Sequence, residues 1–156
     1  MTESINEMRG EGMAERGRIL EQDEDVAEAL RSSKRLAVLG IKPESRDSRP
    51  AHYVPAYLQR NGYEIVPVPV YYPDVTEILG EQVYRTVAAV PGEVDMVVVF
   101  RKPNDVTGHV DDIIAKKPRV VWMQLGISND AAAERFAEAG IDVVQDRCTM
   151  VEHRMV

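Results

Sequence analysis

From residue 35 onward one pattern recurs: a short, nearly continuous run of Val, Ile and Leu, a turn, then a stretch with apolar residues at helical spacing. A strand that is apolar on both faces belongs to a parallel sheet covered on both sides, because a sheet with one wet face would alternate apolar and polar residues. The runs fall at 35–39, 64–68, 95–100, 119–123 and 142–145, with helices expected at 51–61, 106–116 and 130–139. Val106, Val110, Ile113 and Ile114 make one helical stripe, and Ala131, Ala132, Arg135, Phe136 and Ala139 make another. Each helix ends on a stop signal: Asn61-Gly62, Lys117-Pro118 and Gly140. Short links between alternating strands and helices imply right-handed crossovers. The expected fold class is therefore α/β: an open parallel sheet of about five strands, flanked by helices in three α/β/α layers.

At 156 residues the chain suits a single domain. Residues 23–156 are expected to form it, and residues 1–22, rich in Glu, Arg and Gly without a steady apolar face, to be a flexible tail. Residues 23–32 read as a short helix, with acids crowding the first turn and Val26, Ala29 and Leu30 on one face. Pro55 fits the helix at 51–61 only if that helix starts no more than a few residues before it, since first-turn amides lack intrahelical partners. Residues 71–91 are less regular. The formal net charge of −7 opposes nucleic-acid binding. No apolar run approaches the ~20 residues that span a bilayer. Glu3, Glu7 and Arg9 do not suit a secretory signal, and the single cysteine, Cys148, has no internal disulfide partner, so a cytoplasmic location is expected.

In such a sheet ligands bind beyond the carboxyl ends of the strands, where the strand order reverses. Gly40 ends the first run, and the loop carrying Lys42, Ser45, Arg46, Ser48 and Arg49 leads to a helix beginning near Pro50. A helix N-terminus offers unpaired amides and a positive dipole end to phosphate, and arginines add planar forks suited to its oxygens. Other strand-end candidates are 67–70, 100–103, 124–127 and 146–149. A dinucleotide site normally places Asp or Glu at the end of the second strand, to bind the adenine ribose. Here that stretch reads Val66-Pro67-Val68-Pro69-Val70, which disfavours NAD and leaves an apolar wall.

These residues carry a resemblance. The pieces Ala37-Val38-Leu39-Gly40, Ser48-Arg49-Pro50-Ala51-His52-Tyr53-Val54, Val66-Pro67-Val68, Val99-Phe100-Arg101, Trp122-Met123-Gln124-Leu125-Gly126 and Asp146-Arg147-Cys148 follow one another at a spacing similar to that of small stand-alone bacterial CoA-binding domain proteins. More distantly, the chain resembles the CoA-binding domain of the succinyl-CoA synthetase alpha subunit. The resemblance implies a Rossmann-like fold and CoA or an acyl-CoA as ligand. It maps a glycine turn to Gly40, a phosphate loop to Lys42, Ser45, Arg46, Ser48, Arg49 and Pro50, and a second-strand wall to Pro67 and Val68. It maps further contacts to Phe100, Arg101, Gln124 and Gly126. The family commonly has Asn-Pro where this chain has Pro69-Val70, so the asparagine's contact is missing, and Tyr71-Tyr72-Pro73 could compensate by stacking.

No residue stands out as catalytic. Cys148 reads first as a buried, inert thiol and, at a strand end, alternatively as a mixed-disulfide partner of the CoA thiol; His153 falls on a different side of any helix from it. His52 reads as a first-turn histidine, His109 as solvent-facing, Trp122 as core, and Asp111-Asp112 as a solvated helix face. Glu152 and His153 are expected on a C-terminal helix, with a carboxylate or backbone group holding the imidazole. Metal-ligand spacing is absent. The sequence favours a non-catalytic CoA-binding protein and leaves open a nicotinamide-dependent or acyl-CoA-dependent enzyme, or a regulatory interaction protein. An open sheet edge also leaves room for a homodimer.

Overall fold

The computed structural model describes residues 15–156. The apolar runs form one parallel sheet of β1 (Arg35–Leu39), β2 (Glu64–Val68), β5 (Met96–Val99), β6 (Val120–Met123) and β7 (Asp142–Val144), in the order β2-β1-β5-β6-β7. A separate antiparallel pair, β3 (Glu77–Ile78) and β4 (Glu81–Gln82), lies in the irregular stretch. The helices are α1 (Asp23–Arg31), α2 (Pro50–Arg60), α3 (Val110–Lys116), α4 (Asp130–Glu138) and α5 (Thr149–His153).

The period of two along each strand divides the core into two layers. Leu36, Val38, Ile65, Met96, Val98 and Trp122 pack with Val26 and Leu30 of α1 and Val54 and Leu58 of α2. Ala37, Leu39, Val97, Val99, Val121 and Met123 pack with Val110 and Ile113 of α3 and Phe136 of α4. This is the expected three-layer Rossmann-like arrangement. Trp122 is fully buried, and its indole N–H donates to the Arg147 carbonyl at 2.7 Å.

Several local expectations change. The helix expected over 106–116 is divided into a 3-10 segment, Pro103–His109, and α3. Gly108 is a poor helix former, and the Asn129 side chain draws the Pro103 carbonyl (2.9 Å) and the Thr107 hydroxyl (3.1 Å) to itself. Pro55 stands at the sixth position of α2, beyond the first turn. Its missing N–H leaves the Ala51 carbonyl free for the Lys42 amide, which donates to it at 3.1 Å. Asp112 is not simply a solvated acid: its carboxylate accepts the amides of Val87 (2.8 Å) and Ala88 (3.0 Å) and fixes the approach to β5. His153 is held by the Tyr57 hydroxyl, 2.8 Å from its Nδ1, rather than by a carboxylate or backbone group.

Of the expected tail, residues 1–14 lie outside the described residues. Further on, the Gly17 amide donates to the Ala137 carbonyl, the Val143 amide to Arg18, and the Leu20 amide to Val143. Ile19 bridges in parallel to Val143, and Leu20 is buried. Gly17 leaves no room for a side chain, because a Cβ there would overlap the Ile141 backbone.

Candidate functional site

β1 runs to β2 on one side, and the chain later returns to pair β5 on the other. The strand order therefore reverses between β1 and β5, the place where open α/β sheets bind ligands. Gly40 leaves β1 with φ +85°, a left-handed conformation that side-chain-bearing residues rarely adopt. A Cβ on it would overlap the Phe100 carbonyl oxygen, so the outlets of β1 and β5 lie backbone to backbone. The Gly40 amide donates to Val68 (2.9 Å) and the Phe100 amide to Leu39 (2.8 Å), continuing the ladders on both sides.

Beyond that junction lies a cleft of about 420 Å³. One wall is Gly40, Ile41, Lys42 and Ala51; the opposite wall is Phe100, Arg101, Lys102, Pro103 and Asp105. Val70, Tyr71 and Tyr72 bound it beyond β2, and Ile127 beyond β6. The lining is mainly apolar, with Lys42, Arg101 and Lys102 as its cations. α2 holds Lys42 at both backbone groups: its amide bonds the Ala51 carbonyl, and its carbonyl lies 2.8 Å from the His52 Nδ1. His52 is only 6% exposed, deeper than a half-buried first-turn residue, and it locks the loop from behind. The amides of Ile41 and Ala51, both on the cleft wall, find no acceptor among the described residues.

Arg101 organises the other wall. Its Nε donates to His109 Nε2 (3.2 Å), one Nη lies 3.4 Å from the Tyr71 hydroxyl, and the other lies 3.5 Å from an Asp105 carboxylate oxygen. The guanidinium carbon stands 5.5 Å from the Tyr71 ring centroid, a cation–π distance. His109 is thus half-buried rather than solvent-facing. It accepts at Nε2 and so carries its proton on Nδ1. Burial, and after it the Arg101 charge, hold its pKa below the ordinary histidine value against the opposing pull of Asp112 and Asp105.

Of the ligand contacts that the resemblance mapped, the cleft gathers Gly40, Lys42, Phe100 and Arg101, together with Val70, Lys102, Pro103 and Ile127 from the other strand-end stretches. Ser45, Arg46, Ser48, Arg49 and Pro50 are exposed on the connection from β1 to α2, outside the cleft wall; Arg46 lies in a 3-10 turn, Glu44–Arg46, and Arg49 precedes α2. Neither arginine makes an ion pair among the described residues. Pro67 and Val68 are buried within β2, and the Pro67 carbonyl accepts the Tyr84 amide at 2.9 Å. Gln124 is buried, its Nε2 donating to the Thr149 hydroxyl (2.7 Å) and its Oε1 accepting the Thr149 amide (3.0 Å). Gly126 is exposed and donates to the Asp146 carboxylate. One lining residue, Asp105, lay outside every stretch singled out from the sequence. Asp105 carries an opposite charge four residues after Arg101, and that short separation in sequence is the signal that could have paired them. Among the described residues no cluster of His, Cys, Asp and Glu could hold a metal ion, and no helix is long and apolar enough to cross a membrane.

Residues 34–154 match the family described as CoA binding domain. The chain belongs to that CoA-binding domain family. The Bacillus subtilis (strain 168) protein YneT is 33% identical over 129 residues, covering 83% of this chain and 92% of YneT. The solved structure of cell-free ID.343 from Thermus thermophilus is 38% identical with a TM-score of 0.78, covering 86% of this chain and 98% of that one. The same fold also occurs inside larger chains. The dinucleotide forming acetyl-coenzyme A synthetase 1 of Ca. Korarchaeum cryptofilum, solved with phosphate and ADP, shares the fold over 74% of this chain but only 26% of its own, at TM-score 0.61 and 21% identity. Membership supports a CoA-binding role, and the cleft between β1 and β5 is where this CoA-binding domain offers unbonded amides beside cations.

Proposed function

We propose that the chain binds CoA or an acyl-CoA without itself catalysing a reaction, holding the pyrophosphate and 3′-phospho-ADP over the carboxyl ends of β1 and β5. The observation that carries this reading is the pair of unbonded amides, Ile41 and Ala51, on the wall of a cleft that also holds Lys42, Arg101 and Lys102. The Ala51 amide, at the first turn of α2, suits a phosphate oxygen, and Gly40 lets the outlets of β1 and β5 meet beneath it. Ser45, Arg46, Ser48 and Arg49 border the same connection and would close on the phosphates from its outer side, with Pro50 starting the helix. Pro67 and Val68 back the wall at β2, while Gln124 and Gly126 shape the far rim through Thr149 and Asp146.

The non-catalytic part of the reading rests on the lining. Among the described residues the cleft wall carries no thiol, serine or threonine, and its carboxylate, Asp105, faces the Arg101 guanidinium. The cofactor preference rests on the end of β2, where Pro69 and Val70 stand in place of the acid a nicotinamide dinucleotide would require.

Titration calorimetry with CoA, 3′,5′-ADP, adenosine and NADH tests the assignment. CoA is expected to bind tightest, 3′,5′-ADP more weakly, and adenosine and NADH to give no measurable heat. Arg49→Ala is expected to weaken CoA and 3′,5′-ADP alike, by roughly five- to tenfold, as charge-assisted hydrogen bonds are lost. Tight NADH binding without heat from CoA would overturn the assignment, and an unchanged affinity would remove Arg49 from the site.

A further inference from the structure

The strap after β2 presents an aromatic ring to the cleft, and its placement is fixed from outside. Tyr71 lines the cleft and is 63% exposed. Behind it, the Arg85 guanidinium donates to four carbonyls of the strap: Tyr71 (3.2 Å), Tyr72 (3.0 Å), Pro73 (3.1 Å) and Val75 (2.6 Å). Arg85 makes no ion pair among the described residues, so its charge is spent on backbone dipoles. Tyr72 has φ +63°, uncommon for a residue with a side chain, and the Val75 amide closes a turn onto its carbonyl at 3.1 Å. The neighbouring Tyr84 amide is bonded to Pro67 within β2, so the clamp is tied to the sheet itself.

Tyr71 stands three residues past Val68, the end of β2, which is where the adenosine half of a nucleotide lies in doubly wound sheets. Its ring already sits in cation–π contact with Arg101. A ring so placed, exposed, and held by bonds to its own backbone suits the face of a planar heterocycle, and rigid placement before binding limits the entropy lost on association.

We propose that Tyr71 is the stacking platform for the adenine ring of the ligand, and that Arg85, outside the cleft, is the positioning residue that holds the platform in place. The inference rests on the CoA reading above and adds to it the part of the ligand that this strap selects.

The test compares CoA and 3′,5′-ADP, which carry the base, with 4′-phosphopantetheine, which lacks it, by calorimetry on the full chain. Tyr71→Ala is expected to weaken CoA and 3′,5′-ADP roughly tenfold while 4′-phosphopantetheine changes less than about twofold. Tyr71→Phe keeps the ring and is expected to stay within about twofold of the starting protein for all three. Arg85→Ala is expected to weaken the base-containing ligands about three- to tenfold, with 4′-phosphopantetheine again unmoved. If Arg85→Ala does not fold, as judged by circular dichroism, the Tyr71 pair decides. Unchanged CoA affinity in Tyr71→Ala, or an equal loss for all three ligands, overturns this inference alone. Failure of the starting protein to bind CoA overturns the CoA reading and this inference with it.

Discussion

A methyl group on Gly40 would overlap the Phe100 carbonyl, and the backbone there is left-handed as well. Gly40→Ala therefore meets two penalties together, and a loss of about 2–4 kcal/mol is expected in urea unfolding. An unchanged midpoint would mean that β1 and β5 can separate at little cost. Two side chains give the stability an acid limb, in different pH windows. Burial alone would raise the Asp95 carboxyl, but the amides of Arg35 and Lys34 (2.9 Å each) and the charges of Arg119 and Arg35 prevail and hold it below its usual value. Its contribution is present above the unfolded value, about 3.9, and is lost as pH falls through the lower folded value. His109 is also held low, by burial and then by Arg101, so the folded protein favours its neutral form. Its contribution is full above the unfolded value, about 6.5, and is lost as pH falls through the folded one. Thermal midpoints measured across pH are expected to lose only the upper step in His109→Gln and only the lower step in Asp95→Asn. The latter variant is also expected to cost about 1 kcal/mol near neutrality. Loss of both steps in either variant would contradict the assignment.

At the scale of elements, α2 is both a core helix and the anchor of the cleft. Pro55 interrupts its hydrogen-bond ladder, and the carbonyl it frees at Ala51 receives the Lys42 amide. Pro55→Ala supplies a competing donor from within the helix. The expected outcome is a thermal midpoint unchanged or raised, together with faster hydrogen exchange at the Lys42 amide, by about tenfold. Slower or unchanged exchange would show that the Ala51 carbonyl serves both donors. This anchoring was not legible in the sequence, where Pro55 looks like a first-turn residue, because the acceptor's partner lies nine positions back in a loop. β1 and β2 were legible to the residue, since the β1 run is bounded by Lys34 and Gly40 and the β2 run starts at Glu64 and stops before Pro69, which cannot donate to a ladder. The 71–91 stretch was not, because its order comes from Arg85 on carbonyls, Asp112 on the Val87 and Ala88 amides, and Tyr84 on Pro67. Such bonds, from side chains to backbone or between distant backbone groups, leave no periodicity to read.

For the whole molecule, the strand-end rule pointed to the cleft from Gly40, Lys42, Phe100 and Arg101, while Asp105 needed coordinates because a 3-10 turn brings it in. The cations border a protein whose net charge is −7, so attraction for an anionic ligand is local rather than global. Raising ionic strength from about 0.05 to 0.5 M is expected to weaken CoA binding severalfold, as screening shortens the reach of exposed charges. Salt-independent affinity would indicate that apolar contacts dominate. The ribbon from Gly17 to Leu20 has a different consequence. Arg18 reaches Asp142 across 124 positions of sequence, its amide donating to that carboxylate at 2.8 Å. During synthesis those early residues emerge long before the strand they pair with, and must wait, unpartnered, until Asp142 and Val143 have followed them. Final closure of the domain is thereby coupled to synthesis of β7, and a chain stalled before Asp142 would leave Leu20 exposed to water and to other chains.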